Sequence, residues 1–166
     1  MSGKSLKEVL NLEIFRDKKI CVDEVLPQNV DFLIVDLSDA LGLSISAFSE
    51  ETDHYRKIAK SRNKQVSVNS AYDGDCMEPD IMDDVWSAMN IWGIDGCGKI
   101  QVYRSGTCKK SDWYKYDIVI RVQPLDSGIS TDIDGKILIF GRGRKYLELR
   151  YKILRDRVDY YTQQFE

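Results

Sequence analysis

The chain has 166 residues, 43% of them hydrophobic and 31% charged. That is enough apolar content for one domain with its own core, and too much for a disordered chain. Twenty-seven acidic against 24 basic side chains leave a formal charge of −3, which argues against a nucleic-acid binder, whose footprint is positive.

Taken in chain order, Ser5 and Glu8 have the spacing of a capping box and open a short helix on Leu6, Val9 and Leu10. A turn at Asp17–Lys19 precedes a short strand at "ICV". Pro27 breaks the chain, and the apolar run "DFLIVDL" (31–37) reads as a buried strand. Gly42 marks a turn. Ile45, Phe48, Tyr55, Ile58 and Ala59 then lie near helical spacing and predict a helix over 45–62. "QVSVNSAY" (65–72) alternates as a strand does. Pro79 suits a first helical position, and Ile81, Val85, Ala88, Met89 and Trp92 predict a helix over 79–92 that Gly93 closes in the left-handed conformation.

The second half is rich in Ile and Val between Gly, Asp, Ser and Pro, and predicts strands over 98–106, 116–124 and 135–141 with antiparallel connections. Leu147, Tyr151, Leu154, Val158, Tyr161 and Phe165 recur at helical spacing and predict an amphipathic helix over 145–162. The competing reading is a strand over 144–153, because Leu147, Leu149, Tyr151 and Ile153 alternate with Glu148, Arg150 and Lys152. The expected fold is therefore a single α+β domain over 1–166. A mostly antiparallel β-sheet would pack with three to four helices, including the C-terminal amphipathic one.

The densest chemistry lies in "YDGDCMEPDIMDDVW" (72–86), with six carboxylates and no lysine or arginine. Asp80, Asp83 and Asp84 fall in the first turns of the expected helix, where carboxylates offset the positive end of the macrodipole. Asp73, Asp75 and Glu78 precede it. With Tyr72, Trp86 and Trp92 they make a candidate partner-binding surface, charge for steering and aromatics for anchoring. A calcium loop is disfavoured, since Cys76 and Met77 stand where ligands are wanted.

Other motifs are weaker. Gly93-x4-Gly98-Lys99 matches most of a phosphate loop, but Ile100 replaces the magnesium-binding hydroxyl and the order is helix–loop–strand. Cys97 with His54 as base lacks an identifiable orienting group. The four cysteines, Cys21, Cys76, Cys97 and Cys108, show no CxxC spacing, and His54 is the one histidine, so no standard zinc pattern arises. Residues 141–157 carry seven basic and two acidic side chains, expected as a solvated helix face.

In size, composition and texture, including "KSLKEVLNLEIF" at the start and "DYYTQQFE" at the close, the chain resembles the immunity proteins of bacterial contact-dependent growth inhibition systems. The resemblance implies a non-enzymatic antidote. It would bind a cognate protein toxin, usually a basic nuclease, in a heterodimeric complex and cover its active or substrate-binding surface. No cofactor, metal, nucleic-acid or membrane partner is then expected. The opening residues have no apolar h-region and no apolar run reaches the length of a membrane span, so a cytoplasmic protein with free thiols is expected. Two alternatives compete: a metal-dependent hydrolase using the 73–84 carboxylates, and a helix-turn-helix-type DNA-binding regulator using 37–62.

Overall fold

The computed structural model describes residues 3–70, 80–94, 98–128, 130–141 and 144–162. A helix α1 (Leu6–Val9) opens the chain, with the Glu8 carboxylate accepting from the Ser5 amide at 3.1 Å and the Ser5 hydroxyl at 2.9 Å. A 3₁₀ turn (Leu12–Phe15) leads into strand β1 (Ile20–Glu24). There follow α2 (Asp31–Leu41), β2 (Ile45–Ala47), α3 (Thr52–Ser61), β3 (Val68–Ser70), β4 (Ile81–Met82) and α4 (Val85–Asn90). The chain continues with β5 (Ile100–Tyr103), a 3₁₀ helix (Lys110–Lys115), β6 (Ile118–Gln123), β7 (Gly135–Gly141), β8 (Arg144–Ile153) and β9 (Val158–Thr162).

The described strands form one nine-stranded sheet in the order β3-β2-β4-β5-β1-β6-β7-β8-β9. From β3 to β6 every pairing is parallel, and from β6 to β9 every pairing is antiparallel. The fold is α+β as expected, but the sheet is mixed, not mostly antiparallel. Helices cover both faces. Apolar residues of α1, α2 and α3 pack with Ile20, Val22, Ile100 and Ile120 on one side, while Val85 and Ala88 of α4 pack with Cys21, Met82 and Val119 on the other. The path β1–α2–β2–α3–β3 runs outward over the first face, and β4–α4–β5 and β5–β6 return over the second. Outward and returning connections on opposite faces are what a single crossover hand demands.

Four expectations are corrected. "DFLIVDL" lies in helix α2, not a strand: residues 31–38 are buried all round, and a helix enclosed on every side shows a continuous apolar run with no polar stripe. The helix expected over 45–62 begins at Thr52, because Ile45–Ala47 is fully buried as a central strand with parallel neighbours on both sides. The helix expected over 79–92 is confined to 85–90, since Ile81 and Met82 pair with β2 and β5.

The C-terminal amphipathic helix is replaced by the β8–β9 hairpin. Leu149, Tyr151 and Tyr160 are buried on one side of the sheet, so the period-2 reading of 144–153 prevails over the helical one. In a run of regularly spaced apolar residues both periods fit several positions, and sheet burial decides. Gly42 and Gly93 both sit at φ +67°, the left-handed conformation expected of Gly93 and one that makes the turn expected at Gly42. No helix among the described residues is long and apolar enough to cross a membrane.

Candidate functional site

Parallel strands send their carboxyl ends to one edge of the sheet, and here four of those ends run into charged residues. β1 finishes in Asp23–Glu24, β2 runs into Phe48–Ser49–Glu50, β4 into Asp83–Asp84 and β5 into Arg104–Ser105. β5 and β1 are neighbours, yet their onward connections leave over opposite faces. Such switch points are where open α/β sheets form a crevice and bind ligands.

In this chain the crevice is filled by Arg104. Its Nη1 donates to Asp31 Oδ1 at 2.6 Å and Glu24 Oε2 at 3.1 Å. Its Nε donates to the Asp83 carbonyl at 2.8 Å, and its Nη2 to the Tyr55 hydroxyl at 2.9 Å. Burial opposes the guanidinium's charge, but Tyr55, Asp31 and Glu24 outweigh it and raise the pKa. Glu24 also accepts from the Val30 amide at 3.0 Å and the Ser105 amide at 3.0 Å, so it joins the start of α2 to the loop after β5.

Asp83 is fully buried. It accepts from the Phe48 amide at 2.6 Å and the Tyr55 hydroxyl at 2.7 Å. Burial raises its pKa, against the pull of those two donors and Arg104. Tyr55 is pushed up by its burial and by the Asp83 charge, so it stays a protonated donor at neutral pH. At the mouth, His54 Nε2 meets Asp31 Oδ2 at 2.6 Å, and the His54 side chain is 38% exposed.

Beyond His54 the strand ends open into a cleft of about 400 Å³, lined by Phe48, Ser49, Glu50, Glu51, Asp53 and Trp92 among others. No lysine or arginine is among its described lining residues. Asp53 is paired with Arg56 at 3.4 Å, which leaves Glu50 and Glu51 as the cleft's net charge. Beside it, α4 and its C-cap present Trp86, Met89 and Ile91 to solvent, each at least 50% exposed.

The expected partner-binding residues are placed unevenly. Tyr72, Asp73, Asp75 and Glu78 lie outside the described residues, as does Cys97. Trp86 is exposed on α4, whereas Trp92 is half-buried, lines the cleft and donates from Nε1 to the Phe48 carbonyl at 3.4 Å. Of the three aspartates expected at a helix start, two do something else. Asp80 accepts from the Ser44 amide at 3.0 Å and hydroxyl at 3.1 Å, and Asp83 belongs to the buried cluster. Asp84 alone caps α4, accepting from the Ser87 amide at 3.2 Å.

The helix-turn-helix expectation over 37–62 is not met, because strand β2 separates α2 from α3. The basic C-terminal stretch finds acidic partners on its own chain: Lys152 with Asp134 at 3.3 Å, and Arg157 with Asp159 at 3.0 Å. Spacing gave no hint of the Arg104 cluster, since Glu24 and Arg104 stand 80 positions apart. Their common signal is modest: "VDE" and "VYRS" each place a charge or hydroxyl just where an apolar strand stops. No protein-family model matches the chain, and no curated protein matches it.

Proposed function

We propose that the chain is a non-enzymatic antidote of the kind found in contact-dependent growth inhibition, binding a basic toxin as a one-to-one complex. The observation that carries the reading is the acidic cleft at Glu50 and Glu51 beside the apolar face of Trp86, Met89 and Ile91. Charge complementarity to a cationic partner raises the association rate, and a desolvated tryptophan supplies binding energy. A nuclease surface that attracts phosphates is cationic and would recognise the cleft in place of its substrate. The segment carrying Asp73, Asp75 and Glu78 joins Ser70, on the cleft wall, to Asp80, so the acidic stretch extends the same reading.

The switch-point crevice, where a small substrate would otherwise sit, is taken by Arg104 and its own carboxylates. A hydrolase built on the 73–84 carboxylates gains no support from Asp80, Asp83 and Asp84, which all accept hydrogen bonds from their own chain.

The test is a titration against the toxin encoded beside this chain's gene, with inhibition of the toxin read in parallel. A stoichiometric complex with a basic partner is expected. Glu50→Lys with Glu51→Lys should slow association and remove most of its salt dependence, and Trp86→Ala should raise the dissociation rate by about tenfold or more. A partner with an acidic surface, or a complex indifferent to all three substitutions, overturns the proposal.

A further inference from the structure

Asp31, Glu50 and His54 come from the first turn of α2, the loop after β2 and the first turn of α3. Their candidate ligand atoms all lie within 4.8 Å of one another. We propose that these three side chains bind a divalent transition-metal ion, zinc by preference, at the rim of the sheet's carboxyl edge. An imidazole with two carboxylates suits zinc, and three protein ligands leave the remaining position to water.

Asp31 is built for the role in a way an exposed carboxylate is not. It is buried, and Arg104 Nη1 holds its Oδ1 at 2.6 Å, so its Oδ2 is the oxygen presented at the mouth. Outer partners of this type fix a ligating carboxylate's orientation. Nε2 of His54 already meets that Oδ2 at 2.6 Å. With tetrahedral metal–ligand bonds of about 2.0–2.2 Å, ligand atoms sit about 3.3–3.5 Å apart, so the two atoms need to part by about 0.7–0.9 Å. On loading, any proton on Nε2 passes to solvent, and the metal takes its place between the two atoms.

The Arg104 charge is the main objection, and the local balance answers it. One guanidinium against Glu24, Asp31 and Glu50 leaves two negative charges, the amount a divalent ion neutralises. Access is open, since Glu50 is exposed and His54 is partly so.

The experiment is zinc competition against a chromophoric chelator, followed by cobalt(II) substitution. Wild type should bind one ion, and the cobalt form should show visible ligand-field bands without thiolate charge-transfer absorption. His54→Ala and Glu50→Gln, both at accessible side chains and checked for fold by circular dichroism, should each weaken binding at least about tenfold. Cys108→Ser should leave it unchanged. Absence of binding, a thiolate signature, or zinc affinity that survives His54→Ala overturns the assignment. Glu50 belongs to both sites, so the metal readout uses the ion alone and Glu51→Lys, outside the metal set, reports on toxin binding; either reading can then fail without the other.

Discussion

Replacing Arg104 with methionine tests the internal frame of the site. Methionine retains much of the apolar stem and removes the guanidinium. Four hydrogen bonds go with it, to Glu24, Asp31, the Asp83 carbonyl and the Tyr55 hydroxyl. The side chains of Arg104, Glu24 and Asp31 are 13%, 5% and 9% exposed, so water cannot replace the lost charge. Removing one partner of such a buried pair costs about 3–5 kcal/mol. For a chain of this length each kcal/mol moves the melting temperature by about 2–4 °C, so Arg104→Met should melt roughly 6–20 °C below wild type. Neutralising the stranded carboxylates should restore much of the loss, so Arg104→Met with Glu24→Gln and Asp31→Asn should melt above the single variant. Arg104→Lys should recover only part, because one ammonium cannot reproduce the planar fork. Urea and thermal unfolding followed by circular dichroism give both numbers. A loss under about 1 kcal/mol, the range of a solvent-screened surface pair, would refute the argument.

Two further outcomes follow from buried titratable groups. Tyr160 donates to Asp36 Oδ2 at 2.5 Å, and Asp36 Oδ1 has no hydrogen-bond partner among the described residues. Burial raises the Asp36 pKa, and the Tyr160 hydroxyl pulls it back down. A raised carboxyl contributes stability below its unfolded pKa, and that contribution is lost as pH rises through the folded value. Tyr160→Phe raises the Asp36 pKa further, so its cost, about 2 kcal/mol at neutral pH, should shrink on acidification; a constant cost from pH 7 to 4 contradicts this. Cys21 is wholly buried, 3.9 Å from Cys108, and its thiol is pushed up by that neighbour and by desolvation. In native protein, Cys21→Ser should therefore leave the count of rapidly reacting thiols unchanged in a disulfide-exchange assay.

Elements whose local pattern admitted one period were legible. Residues 135–141 form β7 with the bounds expected of them, 100–103 and 118–123 lie inside the expected strands, and Ser5 with Glu8 caps α1. The misread segments share a cause. Asp31–Leu37, Ile45–Phe48 and Leu147–Ile153 carry apolar residues that satisfy more than one period, and what surrounds them selects between the readings. Parallel pairing was invisible for a related reason. β1 sits between β5 and β6, strands about 80 and 98 positions along the chain, and no local signal reports so distant a neighbour.

The same holds for function. By itself the sequence determined a chain with a core, a net acidic charge, an acidic segment at 73–84 and two tryptophans, Trp86 and Trp92, close behind it. These are properties of composition and short-range spacing. Only the tertiary structure decided that Asp80 and Asp83 are internal acceptors, that Arg104 closes the switch-point crevice, and that Asp31, Glu50 and His54 converge at its rim. Those facts depend on which strands lie side by side. That order is set by burying both faces of one sheet beneath helices, a condition on the whole chain that no short stretch of it contains.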